Sequence, residues 1–469
     1  MKPTAPSPPR LLTIAAPLYA ELVLTIAVGL AGTALAARQS DAAAAGFAMA
    51  HHVLALLMLL FRVVGAGISV VVAQALGARR PDQADAVARA CVGAASWFGG
   101  GAAVLALAGA APLLGLLNTP PEVLAHALPL LRQLAPVLLL DAWFACGASV
   151  LRAHLLVRQT LVLIRAMQGL HLGLALALMP DLGLGGYTVA LAISRVAGLA
   201  ALAWVAANRL GLRLRLADLL QWRGATLAPV LRIGAPGAAE NLGWRLAYLA
   251  SLAAVGRLGA AALAVQAYVN QMAHLVLLSA LAGALAAEVL VGHHIGAGRL
   301  RDADRLVRRT LTACLALAAV AALVVALAGL PLMRLFTADP ALATAAAALL
   351  WWLLPLETGR TFNLVVINAL RAAGDARFPV LAGAASMLLV LAGGSWLLGV
   401  HLGLGLAGVW LAYAADEWLR GLIMWWRWRG LHWVPHARAA RRRLRRGPST
   451  TPDAATHPNT DPTRSPTAS

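Results

Sequence analysis

The sequence predicts an all-α protein that crosses a membrane many times, built from two copies of one six-helix unit. Three observations predict this. Of its residues 61% are hydrophobic and only 12% charged, whereas a soluble globular chain carries roughly 25% charged residues. Its mean hydropathy is +0.76. And one charged stretch is written twice, "GARRPDQADAVAR" at 77–89 and "GAGRLRDADRLVR" at 296–308, 219 positions apart.

A membrane-crossing helix needs about 20 mostly apolar residues. That ruler marks about twelve spans, roughly at 11–36, 46–73, 89–117, 127–151, 160–179, 184–207, 226–255, 262–289, 310–335, 344–369, 379–400 and 403–428. The first run, Leu11 to Ala36, exceeds the roughly 7–15 apolar residues of a cleavable leader and reads as a retained span.

Charge alternates between successive connections. One side holds Arg79 and Arg80, Arg152 and Arg158, Arg209 to Arg223, Arg299 to Arg305, Arg371 and Arg377, and the tail from Arg438 to Arg446. The other side holds Arg38, Glu122, Asp181, Arg257, Asp339 and His401. Cytoplasmic loops carry the excess of basic residues, so the first side is expected in the cytoplasm. An even span count puts both termini there as well. The net charge of +19, with Lys2 as the sole lysine, is thereby assigned to topology, and no nucleic-acid partner is expected. The excess of Arg over Lys and the Ala/Leu richness fit a GC-rich bacterial genome, hence a multi-pass protein of the bacterial inner membrane.

The duplication extends well past the opening motif. Pro17 and Pro236, Glu21 and Glu240, Pro112 and Pro331, Pro136 and Pro355, and Arg152 and Arg371 all pair at the same shift of 219. Near the ends, "LGLGGYTVA" (182–190) answers "LGLGLAGVW" (402–410) at a shift of 220. Shared composition explains scattered leucine matches but not prolines, glutamates and arginines aligned at one spacing. The expected organisation is a cytoplasmic tail at 1–10, a first lobe at 11–207, a basic linker at 208–224, a second lobe at 225–436, and a tail at 437–469. In that tail "RAARRRLRR" is expected to anchor on anionic lipid head groups, and the Pro/Thr/Ser-rich remainder to be disordered. Six spans per lobe give both copies one orientation, related by an axis along the membrane normal.

Several chemistries are unsupported. Cys91, Cys146 and Cys314 are isolated, with neither metal-ligand spacing nor a disulfide framework. There is no phosphate-cradling GxxxxGK[ST] loop and no HExxH. ATP-driven pumping, a bound metal or cofactor, and a membrane-embedded enzyme are therefore not expected.

Ionisable groups inside spans are costly and mark function by default. Glu21 lies four residues after Pro17, and Glu240 repeats it after Pro236. Asp141 follows Pro136 by five residues; Glu357 and Arg360 follow Pro355, with Arg360 in Asp141's equivalent place. Each proline removes a backbone hydrogen bond and bends its helix. A freed carbonyl near a carboxyl suits a proton or cation, and burial makes the charged form costly enough for proton loading near neutral pH. Glu357 and Arg360, three residues apart, also suit mutual neutralisation. Glu21 and Glu240 have no charged partner at helical spacing. Glu288, Asp416 and Glu417 fall near span ends, where water contact is the simpler reading.

Trp143, Phe144, Trp244, Tyr248 and Tyr268 suit either a cavity for a flat cation or packing and interface anchoring. Asn241, Gln266, Asn270 and Gln271 supply hydrogen-bonding capacity to the seventh and eighth spans, and His51 and His52 occupy the places equivalent to Asn270 and Gln271.

"APLYAELVL" (16–24), "AQALGARRPDQAD" (73–85), "GAPGAAENL" (234–242), "VGRLGAAALA" (255–264), "VGHHIGAGRLRDAD" (291–304) and "LRAAGDARFP" (370–379), in this order and duplicated, resemble the multidrug and toxic compound extrusion (MATE) family over roughly residues 11–430. The resemblance implies two lobes forming a V around a central cavity. It also implies export of small organic, cationic or amphipathic compounds and drugs against inward H⁺ or Na⁺ by alternating access, by a monomer without cofactors. A flippase for lipid-linked saccharides shares the helix arrangement, but few arginines fall mid-span to meet a pyrophosphate. One departure stands out. Where many members carry an aspartate in the first span this chain has Gly32, and the acidic place of the seventh span holds Trp244. Glu21, eleven residues before Gly32 on about the same face, and Glu240, one turn before Trp244, are expected to substitute for them.

Overall fold

A computed structural model describes residues 11–117 and 119–446; the expected tail at 1–10 and the Pro/Thr/Ser-rich segment after Gly447 lie outside the described residues. The first half forms α1 (Leu11–Ala37), α2 in two pieces (Asp41–Leu57 and Leu59–Gly77), α3 (Pro81–Ala108), α4 (Pro121–Ala153), α5 (Val157–Leu182) and α6 (Leu184–Leu210). A short turn at Leu216–Leu220 leads to α7 (Gly224–Arg257), α8 (Ala260–Gly296), α9 (Leu300–Leu327), α10 (Pro340–Ala372), α11 (Arg377–His401) and α12 (Gly405–Arg429). A last helix, α13 (Val434–Arg446), follows.

Nine of these helices are long and apolar enough to cross a membrane among the described residues. The other three expected spans are α2, broken at Met58, and α7 and α12, whose internal charges (Glu240 and Arg245; Asp416, Glu417 and Arg420) dilute their apolar character.

Local chemistry sets the boundaries. Pro81, Pro121 and Pro340 stand in the first turn of α3, α4 and α10, where the missing N–H is not needed. Ser40 and Asp339 cap α2 and α10, each accepting a backbone N–H of the first turn. The turns repeat with the sequence. Arg79 (φ 59°) and Gly298 (φ 74°) are equivalent positions in the left-handed region, as are Leu155 (φ 63°) and Gly374 (φ 89°). Where only one copy has glycine, the other has a side chain held in the same disfavoured conformation.

The N-lobe packs α3 and α2 on α4, and α5 on α6; the C-lobe packs α10 on α12, and α8 on α9 and α10. Two equivalent seams join the lobes, α1 against α8 and α7 against α2, with α2 crossing α8 between them. The first seam holds Ile14 and Leu18 against Ala282, Ala286 and Leu290; in the second, Gly67 lies directly under the Val230 carbonyl. Small residues let the backbones approach, as usual between helices in a lipid solvent. These contacts all lie in the helix halves nearest the face that carries both described chain ends, here the terminal face. From there the lobes diverge as the arms of a V around a central cavity.

The opening motif closes the terminal face. A Cβ on Gly77 would lie 2.1 Å from the His293 carbonyl oxygen, and one on Gly296 would lie 1.9 Å from that of Gln74. Asp304 pairs with Arg308 one turn along α9 at 2.9 Å and accepts the Trp428 indole N–H. The equivalent Asp85 and Arg89 form no ion pair among the described residues.

The basic stretch at 438–446 docks one face on the protein. As α13 it buries Ala437, Ala440 and Leu444. Its last carbonyls, Leu444 O and Arg445 O, accept from Gln83 and Arg80 of the N-lobe, and His436 faces Asp375 of the C-lobe at 3.9 Å. The apolar triplet at helical spacing explains the docking: it gives an otherwise cationic helix one face to bury.

Candidate functional site

Charged side chains gather at three places along the inner walls. In the N-lobe, Asp141 on α4 pairs with Arg195 on α6 at 2.5 Å, both largely buried. Beside them His51 Nε2 lies 3.4 Å from the Tyr187 hydroxyl, and Phe47 and His171 pack edge-on against the Tyr187 ring at 4.8 Å. Gly32 lies under this cluster: a Cβ there would come within 3.0 Å of Phe47 and 3.1 Å of Tyr187. Aromatic rings thus fill the space beside Gly32.

The C-lobe carries a larger network. Arg360 on α10 binds Glu357 at 2.6 Å and Glu417 of α12 at 3.3 Å. Arg420 grips Asp416 through both Nε and Nη2 and reaches Glu417 at 3.0 Å. Ser386 donates to Asp416 and Asn363 to Glu417. Asp416 and Glu417 are buried, contrary to the expectation of water contact: they sit three turns inside α12, where Arg360 and Arg420 take the place of water. Three acids face two arginines, and Glu357 Oε2 is buried without a hydrogen-bond partner.

A pocket opens beside this network, lined by Trp244, Tyr248, Asn270, Arg360, Trp410 and Glu417. The Trp244 and Tyr248 rings stack at 5.3 Å with an 11° angle. One turn of helix separates them, so the slab is built by α7 alone. Behind it Gln266 accepts the Trp410 indole N–H at 2.6 Å, and Ser251 lies 2.8 Å from the Tyr413 hydroxyl.

The third place is the lobe boundary. Glu21 on α1 binds Arg152 at the end of α4 at 2.8 Å, and Glu240 on α7 binds Arg371 at the end of α10 at 2.5 Å. Both pairs span 131 residues, which is the duplication expressed as an interaction. The expectation that Glu21 and Glu240 lack charged partners is corrected: the partner comes from another helix, not from helical spacing. Glu288 is also corrected. It is 5% exposed, because α8 continues to Gly296 and places it two turns inside.

Of the expected residues, Trp244, Asn270 and Arg360 meet in one pocket with Glu357 behind, while Asp141 stands in the opposite lobe. Tyr268 packs on Phe336, Asn241 donates to its own helix at Gly237 O, and Gln271 is exposed. Pro17, Pro136 and Pro236 lie inside α1, α4 and α7, and Pro355 follows a tight turn at Leu350–Trp352 within α10. The reading missed Arg195 and Arg420. Both are arginines within apolar runs, so the signal was present.

Comparison with known proteins agrees with the two-lobed fold. The uncharacterized transporter YisQ of Bacillus subtilis is 29% identical over 424 residues, covering 89% of this chain and 93% of its own. The probable multidrug resistance protein NorM of Thermotoga maritima is 24% identical over 87% of this chain and 89% of its own. Among solved structures, the Vibrio cholerae MATE transporter VcmN in its bent form superposes with a TM-score of 0.82 at 19% identity, covering 92% of this chain and 97% of that one. A MOP superfamily transporter from Pyrococcus furiosus, described as having a binding pocket of reversed polarity, gives 0.81 at 17% identity over 92% and 96%. The MatE family model matches residues 17–177 and again 236–396, two segments in register with the 219-residue duplication. The chain therefore belongs to the multidrug and toxic compound extrusion (MATE) family of membrane transporters.

Proposed function

We propose that this protein exports small cationic or amphipathic organic compounds in exchange for inward H⁺ or Na⁺, working as a monomer in a bacterial inner membrane with both termini cytoplasmic. The observation that carries the reading is the C-lobe pocket, where a stacked Trp244–Tyr248 pair adjoins a buried network with one more carboxylate than guanidinium. An aromatic face favours a flat cation, and the surplus carboxylate favours a cation or proton over an anion. Glu357, buried behind this pocket against its lining residue Arg360 and with one oxygen unpartnered, is the group best placed to take the coupling ion. Exchange follows if cation and coupling ion compete for the same negative charge. Small-residue seams at the lobe boundary support alternating access by rocking of rigid lobes, and the arginine-rich terminal face supports the orientation.

The test is uptake of a fluorescent organic cation into inverted membrane vesicles under separately imposed pH and Na⁺ gradients. Accumulation driven by one gradient is expected. Accumulation indifferent to both would sink the exchange reading.

A further inference from the structure

The two glutamate–arginine pairs at the lobe boundary are neutral and obey the pseudo-two-fold symmetry; Glu288 does not. Its equivalent in the first half is Ser69. Glu288 makes no ion pair within 4.0 Å among the described residues, and the two charged groups that act on it are Arg371 of its own lobe and Arg152 of the other. It is sealed from water at 5% exposure, among the Ala286 and Leu290 contacts of the α1–α8 seam. Arg371 Nε, also buried, has no hydrogen-bond partner. The centre thus holds three carboxylates and two guanidiniums, with an unpaired acid and an unused donor in the same cluster. A lone buried anion is costly, and a single proton makes the cluster neutral.

We propose that Glu288 is a proton-binding site, and that its protonation state sets whether the lobes stay joined at the terminal face. Ionised, Glu288 attracts Arg152 across the boundary and holds that face shut. Protonated, it releases Arg152 and the lobes part there. The charged groups facing it are Arg152 from α4 and Arg371 from α10, with Glu21 from α1 and Glu240 from α7 behind them. The described side chains of the second piece of α2 (Leu59–Gly77), which crosses α8, include no titratable group, and α9 brings the Cys314 thiol against Gly283, five residues from Glu288. This site is separate from the C-lobe pocket. It deepens the exchange reading by giving a proton a mechanical effect, and it rests on that reading only for its use in transport.

The sign suits export. A proton taken up while the cavity faces outward favours opening of the terminal face, where proton release restores Glu288 and recloses the seam once substrate has bound.

The experiment places spin labels at Asp82→Cys and Arg301→Cys, equivalent positions on the terminal face of each lobe, with Cys91, Cys146 and Cys314 replaced by alanine. Their separation is measured by double electron–electron resonance in lipid nanodiscs from about pH 5 to about pH 9. The unsubstituted Glu288 protein is expected to lengthen as pH falls. Glu288→Gln is expected to show the long distance at every pH, and Glu288→Asp to restore the titration. An infrared protonated-carboxyl band lost in Glu288→Gln would locate the proton independently. The proposal is overturned if the parent distances do not move with pH, or if Glu288→Gln titrates as the parent does. Distances that titrate through Glu288 while vesicle export ignores both gradients would remove the exchange reading and leave this site standing. Gradient-driven export with a Glu288→Gln protein that titrates normally would do the reverse.

Discussion

Gln74 and His293 occupy equivalent positions in the two halves, and each crosses the lobe boundary to a carbonyl of the opposite half. Gln74 Nε2 donates to Ala372 O at 2.7 Å, and His293 Nε2 meets Ala153 O at 2.8 Å. Ala153 and Ala372 are themselves equivalent, so the two bonds are one interaction written twice. They end on the residues that follow Arg152 and Arg371, and so tie the charged centre to the crossing of α2 and α8.

Replacing either residue by alanine should weaken closure of the terminal face by about 0.5–1.5 kcal/mol, the net worth of one hydrogen bond. Both substitutions together should add, because the bonds share no partner. The closed fraction in the spin-label measurement checks this. A double variant no more open than either single one would argue against two independent ties.

The glycine pair beside these bonds admits no side chain. A Cβ at Gly77 or Gly296 meets a backbone oxygen that cannot rotate away, so Gly77→Ala and Gly296→Ala should each cost about 1–3 kcal/mol of seam packing. The expected readout is a shift toward the separated terminal face, with a lower melting temperature in detergent. Gly101 has open space around its Cβ position and serves as a control: Gly101→Ala should behave as the parent.

The duplication, the span count and the lobes were legible because prolines and charged residues kept one spacing through an apolar background. The charged partners were less so. Glu21 finds Arg152 from 131 residues away, and helical spacing reports only neighbours within a turn. Glu288 was read as wet because the end of its span was placed by hydropathy, whereas Asp416 and Glu417 lay well inside the expected span at 403–428 and are kept from water by Arg360 and Arg420, partners that hydropathy does not report. α8 in fact runs seven residues past the expected end at 289, since small residues and two histidines continue a helix that hydropathy alone would stop. Arg195 was readable in principle: an arginine inside "LAISRVAGLA" asks for a partner, and Asp141 supplies it.

The opposite polarity of the lobes gives a prediction about stability. Asp141 and Arg360 are equivalent positions with opposite charge, paired respectively with Arg195 and Glu417. Arg360→Ala leaves Glu357 buried without an ion-pair partner, and removing one member of a buried pair costs about 3–5 kcal/mol. Arg360→Ala combined with Glu357→Gln should recover much of that loss in thermal unfolding. No recovery would mean that Arg360 stabilises by packing rather than by charge.

The stacked pair in the pocket predicts a binding effect separate from folding. Trp244→Ala removes one face of the slab, and a cation–π contact is worth about 0.5–2 kcal/mol, so affinity for a fluorescent organic cation should fall about 2- to 30-fold. Trp244→Phe should retain part of it. Fluorescence titration of purified protein reads both, and an unchanged affinity in Trp244→Ala would place the cation elsewhere in the cavity.

His154, in the connection between α4 and α5, gives a pH dependence of folding outside the spans. Burial holds its imidazole down to about 4, and the nearby His293 pushes the same way. In the unfolded chain the ring takes up its proton near the usual value of about 6.5. Between these two values the unfolded state binds the extra proton, so the stability present above about 6.5 declines as pH falls toward 4, with no further contribution below it. His154→Asn should flatten this part of the melting-temperature profile while leaving the curve above neutrality parallel to the parent's. A variant whose melting temperature drops with acid as steeply as the parent's would assign the acid sensitivity to the other buried histidines of the seam, His293 first among them.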